Sequence, residues 1–175
     1  LLSHKGKIAA GAGILLILAA VFFMYFRLSS KNRIFFHPLS ENPKIKPAIA
    51  FFFQKDYLSL TSYLDSITPS VYGPDQGILL FYKAEAFFQQ KKYQEAWHVF
   101  FSLSRTYPQF WQARFRLGCI HLLRHEMQDA SLILETHQDL EEVNFWKARY
   151  WLLAGKKDEA LKLFQKVSYA EAFDF

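Results

Sequence analysis

Cysteine is nearly missing from this chain: Cys119 is the only one, so no intrachain disulfide can staple the fold. The single thiol neither requires nor excludes an oxidising compartment. Glycine is sparse, and its seven copies form no clustered loop of the kind that cradles a phosphate. No nucleophile elbow is present and nothing reads as a catalytic triad. The chain is therefore read as non-enzymatic, with no cofactor, metal or small-molecule substrate. A one-sided charge is also missing from most of its length. From Pro47 onward, 14 Lys/Arg stand against 15 acids. That balance leaves no excess of cations to neutralise phosphates, which excludes nucleic-acid binding. Strand-like alternation of polar and apolar residues is absent as well.

One absence is local. Ile8 to Phe26, IAAGAGILLILAAVFFMYF, carries no charge over 19 residues. As a helix it reaches roughly 28 Å, about the hydrocarbon thickness of a bilayer. Lys5 and Lys7 precede it; Arg27, Lys31 and Arg33 follow, and Tyr25 suits the headgroup level. The run is longer than the apolar stretch of a secretory signal, and Arg27-Leu28-Ser29-Ser30 offers no small-x-small cleavage site. A globular surface helix would show a polar face. The reading is a single membrane-spanning helix.

The basic residues gather beside it. Leu1 to Lys46 holds seven Lys/Arg and one acid, Glu41, which accounts for more than the whole net charge of +5. Arg27, Lys31 and Arg33 form a flank drawn to anionic lipid by about 1 kcal/mol each. Pro38, Pro43 and Pro47, with Ser29, Ser30 and Ser40, mark an irregular linker. The organisation is thus 1–28 anchor with a short flank, 29–46 basic linker, and 47–175 folded domain, about 130 residues and enough for one core.

From Pro47 the apolar spacing is helical almost throughout. It predicts helices over Pro47–Gln54, Leu58–Ile67, Ile78–Gln90, Gln94–Thr106, Phe110–Arg124, Gln128–His137, Asn144–Leu153 and Asp158–Val167. Turn chemistry separates them: Lys55-Asp56, Thr68-Pro69 with Gly73-Pro74, Lys91-Lys92, Pro108, His125-Glu126, Asp139 to Glu142, and Gly155-Lys156. The fold class is all-α. His121 and His125 fall four apart on a predicted helix, with Glu126 next. Two imidazoles on one face can hold a metal, but no third ligand is evident and HLLRHE fits no zinc-protease pattern, so the spacing is read as a helix face.

The helices repeat in pairs. Ala96, Ala130 and Ala160 open the second helix of three units; Ala84, Gly118 and Ala148 lie twelve residues upstream, and Phe100, Leu134 and Phe164 four residues on. Small residues at two places per pair let helices cross closely, while large ones fill between. Ala84, Phe87, Tyr93, Ala96, Phe100 and Pro108 in one unit resemble the tetratricopeptide repeat. So do Leu117, Gly118, Ala130 and Leu134 in the next, and Ala148, Gly155, Ala160 and Phe164 in the last. Phe51 to Ile67 looks like a degenerate earlier unit, with Phe53, Tyr57 and Leu64 in register with Gln89, Tyr93 and Phe100. The resemblance covers about 120 residues. It departs from the family at Lys91 and His125, which stand where a turn glycine is usual, and in the step of 30 from Ala130 to Ala160. A related helical-pair repeat is the alternative. The resemblance implies an α-solenoid of three to four hairpins, with units near 47–68, 77–108, 111–138 and 143–168.

It also implies a concave groove lined by the first helices. Mapped here, the groove positions are Ile78, Phe81, Glu85 and Phe88; Phe115, Cys119 and Leu122; and Phe145, Arg149 and Leu152. Phe81, Phe115 and Phe145 recur as one apolar ladder. Family members that clamp a terminal carboxylate use Lys, Asn and Arg at such places; Phe81 and Glu85 stand here instead. An apolar groove suits an amphipathic helix or an apolar segment, unless the chain's own next helix fills it. Leu80, Phe87, Leu103, Leu117, Trp151 and Leu161 are expected in the core. The sequence opens on Leu1 rather than Met. Ser168 to Phe175 gives no polar capping helix, so either more chain follows or Phe173 and Phe175 meet a partner.

The function expected is a membrane scaffold or adaptor that binds other proteins of a complex, or a second copy of itself. Such a complex would be secretion, motor or assembly machinery. A mitochondrial inner-membrane subunit or import-type receptor is the eukaryotic counterpart. An anchor for an enzyme activity carried elsewhere, and a lipid-sensing signal anchor, are alternatives of other classes. Resemblance to anchored bacterial repeat proteins places the domain in the periplasm, on the bacterial inner membrane. Five basic residues after the span against two before it point instead to the cytosol or the mitochondrial matrix.

Overall fold

The computed structural model describes residues 42–136 and 138–167. The expected span Ile8–Phe26, its basic flank Arg27, Lys31 and Arg33, His137 and the segment Ser168 to Phe175 lie outside the described residues. Among the described residues no helix is long and apolar enough to cross a membrane.

Eight α-helices and no strand make up the described residues. They are α1 (Ile45–Phe53), α2 (Tyr57–Ile67), α3 (Pro74–Gln89), α4 (Tyr93–Thr106), α5 (Trp111–Leu123), α6 (Leu132–Glu135), α7 (Glu141–Leu153) and α8 (Lys157–Phe164). Short 3-10 turns cover Thr68–Ser70 and Asp129–Ser131. Two helix starts lie three or more residues upstream of the expected ones, and α1 starts two residues upstream, at Ile45. Gly73-Pro74, expected in the break, instead starts α3, because proline fits the first helical position, where its missing N–H costs nothing. Glu141 and Glu142, expected in a turn, form the first turn of α7, where acids face the positive end of the helix dipole.

The pairs α1–α2, α3–α4, α5–α6 and α7–α8 share one turn. In each, one residue has a positive φ: Lys55 (59°), Lys91 (60°), His125 (60°) and Gly155 (79°). Its N–H donates to the carbonyl of Phe52, Phe88, Leu122 or Leu152, at 3.0 to 3.1 Å. The next N–H donates five residues back, to Phe51, Phe87, His121 or Trp151, at 2.8 to 3.0 Å. That is the Schellman closure of a helix C-terminus. The carbonyls of Asp56, Lys92, Glu126 and Lys156 then accept from Leu60, Ala96, Ala130 and Ala160 and start the second helix or turn. Four turns with the same hydrogen bonds mark four structural repeats. The glycine usual at this turn is present once; the two lysines and the histidine take the same left-handed conformation at a steric cost.

The small residues lie where the crossings are tight. Ala84, Ala96, Ala130 and Ala148 are fully buried, and Ala160 nearly so. A Cβ added at Gly118 would come within 2.8 Å of the Ile133 backbone nitrogen. This close approach accompanies the one marked departure from the expected helices. Gln128–His137 is not one helix but the 3-10 turn Asp129–Ser131 followed by the four-residue α6. The chain then becomes extended at Thr136, whose carbonyl accepts from Lys147 Nζ at 2.8 Å. A shortened second helix is what a step of 30 residues requires.

Two apolar clusters form the core. Ile45, Ala48, Phe52, Leu60, Leu64, Val71, Leu79, Tyr82 and Ala86 make the first; Phe81, Ala84, Phe88, Phe100, Phe115, Ile133, Phe145 and Trp146 are among those in the second. Helix α3 feeds both, so it is buried on two faces. Of the expected core residues, Leu103 and Leu117 are buried, Leu80, Phe87 and Trp151 are half-buried, and Leu161 is exposed. Leu161 lies on α8, whose only buried residue is Ala160.

Candidate functional site

The predicted groove residues come together, but on the inside. Phe81, Phe88, Phe115, Leu122 and Phe145 belong to one cluster, with Ile78 packed against it. Phe81, Glu85, Phe88 and Cys119 are fully buried, and Phe115, Leu122 and Phe145 are at most 9% exposed. The aromatic ladder is therefore core in this structure, and an open groove lined by it is corrected to a closed seam. Phe88 meets Trp146 edge-on at 6.2 Å between centroids, closing the space from the far side. Of the remaining positions, Arg149 lies over Trp146 at 4.9 Å and Phe145 at 5.7 Å. Leu152 is 49% exposed.

Glu85 holds the main surprise. Arg116 of α5 donates to it from Nε and, at 3.1 Å, from Nη2. Arg116 Nη1 lies 2.5 Å from Glu142 Oε1 of α7. The guanidinium also lies over the Phe88 ring, 5.0 Å from its centroid. The three charged side chains are at most 3% exposed. They tie the first helices of three successive hairpins, α3, α5 and α7. Burial raises the Glu85 pKa above the ordinary carboxylate range, against the pull of Arg116. Burial also pushes the Cys119 thiol well above its usual value, so it is no activated nucleophile. Arg116 and Glu142 were not picked out from the sequence. The available signal was a charge inside the apolar run of α5, Phe115-Arg116-Leu117-Gly118-Cys119-Ile120, on a helix with eight buried residues.

The histidine pair does not form. His125 is the left-handed turn residue, outside the helix that carries His121. His121, Glu126 and Asp129 instead bring their ligand atoms within 4.8 Å of one another. Hydrogen bonding decides how they are used. Trp97 Nε1 donates to His121 Nε2 at 3.4 Å, and indole nitrogen is a donor only. His121 Nε2 must therefore accept, which puts the proton on Nδ1, where Glu126 Oε2 lies 2.5 Å away. A metal on Nδ1 would drive that proton to Nε2, facing another N–H. The donor set is a relay that pins the turn, Trp97 to His121 to Glu126, and it fits a metal poorly.

Large apolar side chains are exposed singly at Tyr72 and Phe101 and in groups at two places. Leu152, Leu153 and Leu161, 49% to 59% exposed, lie on the last hairpin, and Phe53 and Leu58 flank the first turn. Neither a family model nor a curated protein sequence matches the chain.

Proposed function

We propose that the chain is a non-catalytic, single-pass membrane scaffold or adaptor whose tetratricopeptide-like hairpins present a docking face to partner proteins. The uncharged run Ile8–Phe26, flanked by Lys5, Lys7 and Arg27, supports the anchor. Four hairpins with one shared turn support the array. The single observation that carries the partner reading is the exposure of Leu152, Leu153 and Leu161 on the last hairpin, while the equivalent ladder inside is buried. Docking is therefore assigned to the distal hairpin face, with Arg149 beside it, and not to an open groove. The complex it serves is secretion, motor or assembly machinery of a bacterial inner membrane, with the hairpins in the periplasm. A mitochondrial inner-membrane complex is the alternative.

The test is site-specific crosslinking in native membranes. A photo-reactive residue at Leu152 should trap a defined partner in the alkaline-washed membrane fraction. The same residue at Ser102, exposed on α4, should not. Loss of the chain from the washed membrane would overturn the anchor. Equal trapping at both positions, or none at Leu152, would overturn the docking face.

A further inference from the structure

We infer that Glu85, Arg116 and Glu142 form a proton-sensitive latch that closes the seam between α3, α5 and α7. Two carboxylates share one guanidinium, and all three groups are buried. Fully ionised, the triad carries a net negative charge in a site closed to water, which is costly. One added proton makes it neutral. The proton belongs on Glu85. Glu142 sits in the first turn of α7, where backbone N–H dipoles favour a carboxylate, whereas Glu85 lies in the second half of α3. Glu85 Oε1 accepts from Arg116 Nε and Oε2 from Arg116 Nη2, so a proton on one oxygen leaves the bond to the other in place.

The groups that face Glu85 are Arg116 and Cys119 from α5, Glu142 from α7, Tyr57 from α2, and Tyr82 and Gln89 of its own helix. Arg116 is the only cation among them, and it is already shared. Burial raises Glu85 in the closed state; in the open state it regains an ordinary carboxylate value. The closed state therefore binds a proton that the open state does not. Closure is fully favoured below the ordinary carboxylate range and is lost progressively as pH rises towards the raised value, above which the opening equilibrium is flat. The latch is a property of the fold and holds whether or not the distal face binds a partner.

Cys119, the only cysteine and fully buried three residues from Arg116, reports opening in the full chain. A thiol reagent reaches it only when the seam opens, and it then reacts as an ordinary thiol. Below the thiol pKa the labelling rate rises about tenfold per pH unit from thiolate formation alone. Between the ordinary carboxylate value and the raised one, a latch that releases one proton adds a second factor of about ten, giving about a hundredfold per unit in the full chain in detergent. Glu85→Gln should return the slope to tenfold. The wild-type slope decides the matter if that variant does not fold. A wild-type slope that stays tenfold from the ordinary carboxylate range upward, or no labelling at any pH, would overturn the latch.

Discussion

Replacing Gly118 with alanine tests the close crossing on which the hairpin array depends. Taken alone, alanine in a helix interior is better than glycine by about 1 kcal/mol. The structure opposes that gain. A Cβ at position 118 would lie 2.7 Å from Ile133 Cγ1, 2.8 Å from the Ile133 backbone nitrogen and 3.3 Å from Leu132 Cβ. Rotating Ile133 can relieve the first contact. Nothing but movement of the backbone relieves the second. Ile133 and Ala130 are fully buried, so the segment that follows the turn would have to lift from the core. Overpacking of this kind costs about 1–3 kcal/mol. Because a backbone atom is involved, the upper part of that range applies, and the net loss is about 1–2 kcal/mol. Urea unfolding of the full chain in detergent reads it directly. With a slope near 2 kcal/mol/M, the midpoint should fall by about 0.5–1 M. A midpoint that stays or rises would refute the close-approach argument and, with it, the reason for a small residue at this place in each pair.

Opposite signs are expected where the backbone, and not the neighbour, sets the requirement. Lys91→Gly and His125→Gly should each raise the midpoint by up to about 1 kcal/mol in stability, and Gly155→Ala should lower it by a similar amount; identical effects at all three would contradict the shared left-handed turn. Zinc or nickel in modest excess should leave the thermal midpoint of the chain unchanged, because Trp97 holds His121 in the tautomer that cannot ligate through Nδ1. A rise of several degrees that is lost in His121→Ala would show that the His121–Glu126–Asp129 cluster takes a metal after all.

Most helices were legible because their apolar spacing was strong and their ends carried recognisable chemistry. Tyr57–Ile67, Tyr93–Thr106 and Trp111–Leu123 all fall within a residue of the expected bounds. The second helix of the third pair was not legible. Leu132, Ile133 and Leu134 have helical spacing, but Gly118 draws their backbone against α5, and this tertiary contact has no local signature. Lys91 and His125 were noted as departures at a turn that favours glycine. The structure shows them adopting the glycine conformation, so the hydrogen-bonded turn outweighs the side-chain preference.

Spacing identifies residues that share a helix face; it does not say what covers that face. Phe81, Phe115 and Phe145 all belong to one buried cluster. Whether they line a groove or a core depends on how closely α3, α5 and α7 approach, and a buried ion triad helps to set that distance. A guanidinium can satisfy two carboxylates only if all three helices come within reach of one side chain. Beside the triad that joins Arg116 to Glu85 and Glu142, Phe88 meets Trp146 edge-on, and the apolar residues of the seam are buried against one another. The polar residues of the seam therefore govern access to its apolar ones. A partner that binds this chain without disturbing the triad must use the surface left outside it. Among the large apolar side chains of the last hairpin, that surface is Leu152, Leu153 and Leu161.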